Sequence, residues 1–505
     1  MNPGAASLRK LRSIPLVTLF GCAGFILTGC GGSVGTGTGS SGNTSVTVLS
    51  TSTANDQLTE FNMYVKSLAL NRATGSSATL ISTPLEVEFM SVNGRSEPLL
   101  TVDVPQGTYT SASASIGSAE FECVTLAPSG GLDTSSYAYG YTPDSNVTVN
   151  LPAPLTISSA SMVLSLDLLV SKSASWTTCD PNGSILPFSI TPTFDLTAMT
   201  LSSSPSNSQN GLETGLKGVI GSVDSTGAGF TVTADSGPGC AGTAAGANCS
   251  PPAAYAPVWR VASDGGTVFE GVAGISKLTS GMGVDMDAAL QPDGSLLAKR
   301  IAVYDSSTHD LTIAEGRLIF NTPIVGYQSL EMARIRELGP LNTAPITFSY
   351  GNAAFQISGE FKNLGDLPFP PNFTAANAVD GQNFYASTHA LYASIPPTFV
   401  PATAITLIPQ TINGTVSAIG SEGGFTTYTV TLAPYDLFPA LAVQPHQTAV
   451  LTNPNTVVVY ADSNTQMLNT NPIAVGSVAR FYGLVFNDQG TLRMDCAQVS
   501  DGVAE

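Results

Sequence analysis

Basic residues are scarce in this chain of 505 residues. Lys and Arg total 18 against 36 Asp and Glu, so the formal net charge is −18, and charged residues make up only 11% of the chain. Proteins that bind nucleic acids use clustered Lys and Arg to release counterions from the phosphate backbone. The sequence therefore predicts no nucleic-acid partner. Disorder driven by charge is also excluded, because 43% of the residues are hydrophobic.

Recognisable catalytic and metal-binding motifs are missing as well. The sequence has no G-x-x-x-x-G-K-[ST] loop, no H-E-x-x-H pair and no C-x-x-C pair. The G-x-S-x-G match at Gly31–Gly35 lies in a Gly-rich segment, without the strand and helix that a nucleophile elbow needs. Asp305, Ser306, His309 and Asp310 are too close in sequence to form an oriented triad. We therefore expect no enzyme, no catalytic residue, no metal site and no cofactor.

Three acidic residues are candidates for a cation site. Asp285, Asp287 and Asp293 offer the oxygen ligands that Ca²⁺ prefers. The first two are two residues apart on a predicted strand, and Asp293 lies in a predicted hairpin. We expect exposed, solvated carboxylates at all three positions.

The first thirty residues have the organisation of an export signal. Arg9, Lys10 and Arg12 precede an apolar run over 14–27, and no acidic residue comes before it. A run of this length suits the core of a signal peptide and is too short for the roughly 20 residues of a membrane-spanning helix. The run ends in Leu27-Thr28-Gly29-Cys30.

This ending resembles the lipobox of bacterial lipoproteins. The resemblance implies that the Cys30 thiol is lipidated and that the chain is cleaved before it, so 1–29 is a signal peptide and 30–44 a Gly/Ser/Thr tether. Several acyl chains would give a stable membrane anchor. Gly31 after the cysteine implies the outer membrane as the destination. An ordinary secretory signal with an incidental cysteine is the alternative.

Five further cysteines follow the lipobox, and export would permit disulfides between them. Cys240 and Cys249 flank a short Gly/Ala-rich loop, and Cys123 and Cys179 both fall in the first predicted domain. Bridges within these pairs would contribute roughly 3 and roughly 4 kcal/mol, respectively. Cys496 lies in an alternating strand pattern, which favours a small buried hydrophobic residue over a reactive thiol.

Segment 45–201 alternates apolar and polar residues in short stretches. Phe61, Met63 and Val65 recur at period two, as do the apolar residues at even positions over 162–170. Turn dipeptides such as Asn93-Gly94 separate the stretches, and no long helical period occurs. The segment is predicted to be a β-sandwich.

Val104-Pro105-Gln106-Gly107-Thr108-Tyr109 adds a specific signature to this segment. Pro105 and Gly107 form a turn, and Tyr109 opens a strand with its ring available to the core. The signature resembles V-P-x-G-x-Y in transthyretin-like and carboxypeptidase-regulatory-like sandwiches, and in an uncharacterised domain that begins many bacterial lipoproteins. The resemblance implies a fold and no activity.

After a Ser- and Asn-rich linker predicted over 202–214, three similar units follow. Gly218, Gly316 and Gly414 each open an apolar strand and lie 98 residues apart. The later landmarks are a second glycine before a strand, at Gly281, Gly381 and Gly476, and a closing strand over 298–303, 402–407 and 494–499. Such ordered recurrence predicts three β modules over 215–309, 310–410 and 411–500. The pattern resembles tandem domains of unknown function in bacterial exported proteins, and implies small antiparallel barrels related to the oligonucleotide/oligosaccharide-binding barrel.

The units differ in their turns. Asp293-Gly294 and Asp488-Gln489-Gly490 predict hairpins before the closing strand of the outer units, whereas the middle unit has Ile395-Pro396-Pro397 there. In the middle unit, 328–338 has both helical and period-two spacing, so a short helix and a strand both remain open.

These features predict an all-β chain: an N-terminal β-sandwich followed by three tandem, barrel-like antiparallel modules. The expected function is that of a lipid-anchored, non-enzymatic element of the cell envelope that binds or scaffolds a glycan or another envelope protein. A carbohydrate-binding surface lipoprotein is the alternative. A sugar platform needs exposed aromatics, and the chain has only two tryptophans, Trp176 and Trp259, while most Phe and Tyr residues are at strand positions where burial is expected. A hydrolase with acids from different modules is a further alternative.

Overall fold

Strands make up nearly all the regular structure in the computed structural model, which confirms the all-β prediction. The structure describes residues 42–53, 58–90, 92–123, 138–142, 145–176, 188–199, 211–224, 229–234, 256–304, 312–319, 329–337, 346–358, 364–388, 400–433, 436–442, 450–468 and 471–502. Within these residues, no helix has the length and apolarity needed to span a membrane.

The N-terminal sandwich contains fourteen described strands and one short helix. They are β1 (Asn43–Thr53), β2 (Leu58–Asn71), β3 (Ala78–Ile81), β4 (Leu85–Glu88), β5 (Glu97–Pro105), β6 (Gly107–Tyr109), β7 (Ser111–Cys123), β8 (Ala138–Thr142), β9 (Ser145–Asn150), β10 (Leu155–Ile157), β11 (Ser161–Leu169), α1 (Val170–Ser173), β12 (Ala174–Trp176), β13 (Phe188–Ile190) and β14 (Phe194–Met199).

One ten-stranded sheet dominates the sandwich, in the order β3-β2-β7-β9-β14-β11-β1-β5, with β4 and β8 added beside β2 and β7. The terminal strands β3 and β5 contact each other, so the sheet curls around a single core. Phe61, Met63 and Val65 are fully buried in that core. The predicted period-two spacing of β2 is therefore confirmed.

The Val104–Tyr109 signature closes one end of this core. Gly107 has a φ of +150°, and Tyr109 is fully buried. The Tyr109 hydroxyl donates a hydrogen bond to the Pro105 carbonyl at 2.7 Å, and the Arg72 guanidinium lies 5.0 Å from the ring centroid. The expected turn and buried ring are both present.

The three modules follow in sequence. Module 1 comprises β15 (Leu212–Val223), β16 (Gly229–Ala234), β17 (Val258–Ala262), β18 (Val268–Glu270), a 3₁₀ turn (Ile275–Lys277), β19 (Gly283–Leu290) and β20 (Leu296–Tyr304). Module 2 comprises β21 (Thr312–Ile319), β22 (Ser329–Glu337), β23 (Ile346–Ser349), β24 (Ala354–Ile357), a 3₁₀ turn (Leu364–Asp366), β25 (Asn383–Thr388), β26 (Val400–Pro401) and β27 (Ala404–Leu407). Module 3 comprises β28 (Gln410–Glu422), β29 (Phe425–Leu432), α2 (Leu437–Ala442), β30 (Thr456–Ala461), β31 (Gln466–Met467), β32 (Val478–Asp488) and β33 (Thr491–Asp501).

Modules 1 and 3 share one strand order. The orders are β17-β16-β15-β19-β20-β18 and β30-β29-β28-β32-β33-β31, and parallel pairing of β17 with β20 and of β30 with β33 closes each sheet into a five-stranded barrel. Module 2 has the same connectivity with its closing strand split into β26 and β27. The predicted barrel-like modules are confirmed.

The glycine landmarks occupy equivalent register positions. Gly218 pairs with Val284, Gly316 with Phe384, and Gly414 with Ala479. Each of these three partners lies three residues after the second landmark glycine, whose φ is +92°, +92° and +91° in modules 1, 2 and 3. The repeat detected in the sequence is therefore a structural repeat.

Two sequence expectations need correction. β15 begins at Leu212, inside the predicted linker 202–214, because Glu213 pairs with Ala288 and is buried. The helical alternative for 328–338 is wrong: β22 is a strand, since it pairs with both β21 and β23.

The modules pack against one another and do not form an extended series. Residues 41–505 form one compact unit. Modules 2 and 3 share a hydrophobic core, in which the Phe369 ring lies 5.0 Å from the Tyr460 ring and 5.9 Å from the Phe486 ring. Leu49 and Val163 of the sandwich complete the core of module 1. Because neighbouring units share these cores, the interfaces between them are part of the fold.

Candidate functional site

The loop between β4 and β5 lies where the sandwich meets modules 1 and 3. Arg95 Nη1 donates hydrogen bonds to the carbonyl oxygens of Thr214 at 2.9 Å and Gly215 at 2.7 Å in module 1. From module 3, Gln498 Nε2 donates to the Gly94 carbonyl at 2.8 Å. Side chains thus satisfy backbone groups across both interfaces.

Gly94 explains why this loop needs its turn dipeptide. Its φ is +69°, and a Cβ there would lie 2.3 Å from Thr411 Oγ1 of module 3. The predicted Asn93-Gly94 turn is present, and it also admits close approach of a neighbouring module.

Arg480 joins module 3 to the sandwich. Its Nη1 donates to the Ser52 carbonyl at 2.7 Å, and its Nε donates to the Asp501 carbonyl at 2.7 Å. Its Nη2 lies 3.8 Å from Asp167 Oδ2. Two backbone acceptors therefore hold the guanidinium, and its contact with the carboxylate is a long one.

A cleft of about 700 Å³ opens beside Arg480, between the sandwich and module 3. Its floor is the outer face of β1, β11 and β14. Side chains alternate along β11, so Leu164, Leu166 and Leu168 enter the core while Ser165 and Asp167 face the cleft.

Strand register sets the pattern of polar groups on this floor. Asp167 is paired with Thr51 on β1 and with Asp195 on β14, and Ser165 is paired with Thr197. Hydroxyls and carboxylates from three adjacent strands therefore form one polar surface. Module 3 supplies the opposite wall, with Met467, Leu468, Arg480, Gln498, Ser500, Asp501 and Gly502.

Asp167 has the most perturbed environment in the cleft. Burial raises its pKa to about 6, the charge of Arg480 lowers the pKa, and the charge of Asp195 raises it. Asp167 Oδ1 is buried and accepts no hydrogen bond from the part of the chain that the structure describes. Asp195 is half-buried and accepts a hydrogen bond from Asn150 Nδ2 at 2.8 Å.

The three candidate Ca²⁺ ligands lie outside this cleft, and two of them are not exposed as expected. Asp285 and Asp287 are buried, and Arg300 donates to Asp285 Oδ1 and Asp287 Oδ2, each at 2.9 Å. Desolvation still raises the pKa of Asp287, and the Arg300 charge offsets this effect only in part. Only Asp293 lies on the surface, where hydrogen bonds from Ser295 lower its pKa. The described residues contain no group of three or more acidic, His or Cys side chains placed to hold a metal.

The other predicted site residues fall largely outside the described ranges. Cys30, Cys179, Cys240 and Cys249 lie there, as do the three histidines, and only the backbone of Cys123 is described, at the end of β7. The lipidation site and both disulfides stay predictions. Cys496 is a buried free thiol in the core of module 3, as expected, and burial raises its pKa.

Trp259 lies at the interface between module 1 and the sandwich. It is 4% exposed, and its Nε1 donates to the Pro98 carbonyl at 2.7 Å, which joins module 1 to the sandwich. It is therefore an interface residue and not a sugar platform.

Comparison with known proteins adds little to this geometry. No family model matches the chain, and the search of curated proteins gave no match. Among solved structures, the chain is similar to "drosophila Unr CSD456" at 12% identity, over 58% of this chain and 100% of that one. The TM-score is 0.13, so this likeness carries no argument.

Sequence reasoning missed the cleft. Ser165 and Asp167 are polar positions of the alternating pattern on β11, which indicates a polar outer face on this strand. The partners Asp195 and Arg480 carry no such signal, because only the folded arrangement of β14 and module 3 brings them to Asp167.

Proposed function

We propose that this protein is a lipid-anchored, non-enzymatic element of the cell envelope that binds a small polar ligand in the cleft between the sandwich and module 3. The cleft is the observation that carries the proposal. It combines a polar floor with a wall from another module, and Arg480 and Gln498 hold the two sides together. Binding sites often lie in such clefts between domains.

The lining favours recognition by hydrogen bonds. Hydroxyl groups of Thr51, Ser165, Thr197 and Ser500 face the cleft together with the carboxylates. A hydroxyl-rich ligand such as a saccharide would match this lining. The residues that line the cleft include no aromatic side chain to stack on a sugar ring, so we place a small polar ligand ahead of an extended glycan.

Blocking the cleft should abolish ligand binding. Thr197 is exposed on the cleft floor, and Thr197→Trp would fill the space without removing a buried contact. We expect at least a tenfold loss of affinity for a compound that binds the wild-type chain, measured by calorimetry with amino sugars, neutral saccharides, amino acids and diamines. Thr426→Trp, at an exposed position on β29, is the matched control.

Two outcomes would contradict this proposal. If the Thr197→Trp chain binds the compound as well as the wild type does, the site lies elsewhere. If no compound in the panel binds, the chain is not a receptor for small polar ligands, and scaffolding becomes the better hypothesis.

The anchor has its own test, in metabolic labelling with a palmitate analogue. Cys30→Ala should abolish labelling, because the lipobox cysteine provides the acceptor thiol. Cys22→Ala is the matched control: Cys22 lies within the signal peptide that would be removed, so labelling should persist. Equal labelling of the wild-type and Cys30→Ala chains would refute the anchor.

A further inference from the structure

We propose that the cleft binds its ligand through a primary ammonium group, held between the carboxylates of Asp167 and Asp195. This inference rests on the proposed function and names the chemical class of the ligand. The decisive feature is the juxtaposition of two carboxylates on neighbouring strands of the cleft floor.

The register places the two acids within reach of one cation. Asp167 and Asp195 are directly opposite in the antiparallel pair of β11 and β14. The Cβ atoms of such pairs are about 4.5–5.5 Å apart. A primary ammonium carries three donors and can bridge both carboxylates. Asp167 Oδ1 is buried, so the ammonium would contact this acid through the exposed part of its side chain, which is 18% exposed in total.

Arg480 compensates the charge of Asp167 only in part. Arg480 directs Nε and Nη1 to backbone carbonyls, and only Nη2 approaches Asp167, at 3.8 Å. Arg95 directs Nη1 to two carbonyls of module 1. Lys172 is exposed on α1 and lines the cleft.

The remaining lining defines the rest of the ligand. Ser165 and Thr197 lie in the next cross-strand row of the floor, beside the acids, and offer hydroxyls to a polar body. Met467 and Leu468 on the opposite wall are apolar. A compact amine with a hydroxylated body, such as an amino sugar, could bond to the hydroxyls of the floor and place its carbon atoms against the opposite wall.

Binding of such a ligand should depend on pH. The carboxyl of Asp167 must be ionised to hold the ammonium, and its pKa is about 6. At pH 5 only about one tenth of Asp167 would be ionised, so affinity should fall about tenfold between pH 7.5 and pH 5. The other charged groups that line the cleft are Asp195, Asp501, Arg95, Arg480 and Lys172.

Matched ligand pairs provide the test. Calorimetry on the full chain would compare glucosamine with N-acetylglucosamine, and putrescine with N-acetylputrescine, at pH 7.5 and pH 5. We expect the free amine of each pair to bind at least tenfold more tightly at pH 7.5. Asp195→Asn should remove that preference, and Asp103→Asn, an exposed carboxylate on β5, should leave it unchanged.

Each outcome separates the two proposals. Equal binding of an amine and its acetylated partner, lost in Thr197→Trp, would overturn the ammonium inference and keep the cleft as a binding site. Unchanged amine preference in Asp195→Asn would also overturn the inference. Failure of every probe, including the neutral saccharides, would overturn both.

Discussion

Replacing Gly414 with alanine is expected to destabilise module 3 by about 3 kcal/mol or more. A Cβ at this position would lie 2.2 Å from the Thr431 carbonyl oxygen and 2.8 Å from Val430 Cγ1. The close atom belongs to the backbone of β29, which is hydrogen-bonded on both sides and cannot move aside alone. Urea unfolding of the full chain would measure the loss as a lower transition midpoint.

A second glycine and a control make this test specific. Gly218 has the equivalent position in module 1, with a Cβ 2.3 Å from the Thr233 carbonyl oxygen, so Gly218→Ala should destabilise by a similar amount. Gly265 has no atom within 4 Å of an added Cβ, and Gly265→Ala should be neutral. Equal midpoints for Gly414→Ala and Gly265→Ala would refute the steric explanation.

This steric constraint explains why the repeat was visible in the sequence. Where a Cβ would clash with the neighbouring strand, glycine is required at the equivalent position of each module, and it therefore recurs in the sequence at a constant spacing. The positive φ of Gly281, Gly381 and Gly476 favours glycine at a second position of each module. The spacing of such residues therefore predicted the modules and their closing strands, because local backbone geometry depends on few neighbours.

The packing between modules, in contrast, could not be predicted from the spacing of residues in the sequence. Gly381 admits the Phe438 ring of module 3, whose Cδ2 would lie 2.4 Å from a Cβ at Gly381. Phe369 reaches Tyr460 in the same way, across the boundary between modules 2 and 3. A period-two pattern indicates that a side chain is buried but does not show which residues cover it. The sequence therefore could not distinguish modules arranged in series from modules packed against one another.

The ion-pair partners of buried acids could not be predicted from the sequence either. Asp285 and Asp287 are expected to be solvated from their spacing on a predicted strand, yet both are paired with Arg300 on the neighbouring strand. For Asp167, the polar face of β11 could be predicted, whereas its contact with Arg480 depends on how module 3 docks. Charge partners between strands become predictable only after the register is known.

A buried carboxyl at the junction of the sandwich and module 1 leads to the second large effect. Glu213 is 2% exposed, and its Oε2 accepts a hydrogen bond from Ser96 Oγ at 2.7 Å. Burial raises its pKa from 4.5 to about 7, with opposing contributions from Ser96 and Arg95 and a raising one from Glu97. The folded protein therefore disfavours the ionised form of Glu213.

The sign of the pH dependence follows from this raised pKa. Because folded Glu213 holds its proton more tightly than the unfolded chain does, its contribution to stability is fully present below pH 4.5 and is lost as the pH rises through about 7. Glu86 and Asp495, whose pKa values burial also raises to about 7, act in the same direction. The chain should thus gain stability as the pH falls from 8 towards 5.

Glu213→Gln isolates one of these groups. Glutamine keeps an oxygen to accept the Ser96 hydrogen bond and removes the cost of burying a charge. At pH 8 the variant should be about 2–3 kcal/mol more stable than the wild type, and the difference should vanish near pH 4.5, as measured by urea unfolding across that range. Asp103→Asn, which removes an exposed carboxylate, should show no such pH-dependent gain. A variant less stable than the wild type at pH 8 would mean that attraction between Glu213 and Arg95 outweighs desolvation, and that the junction depends on the ionised acid.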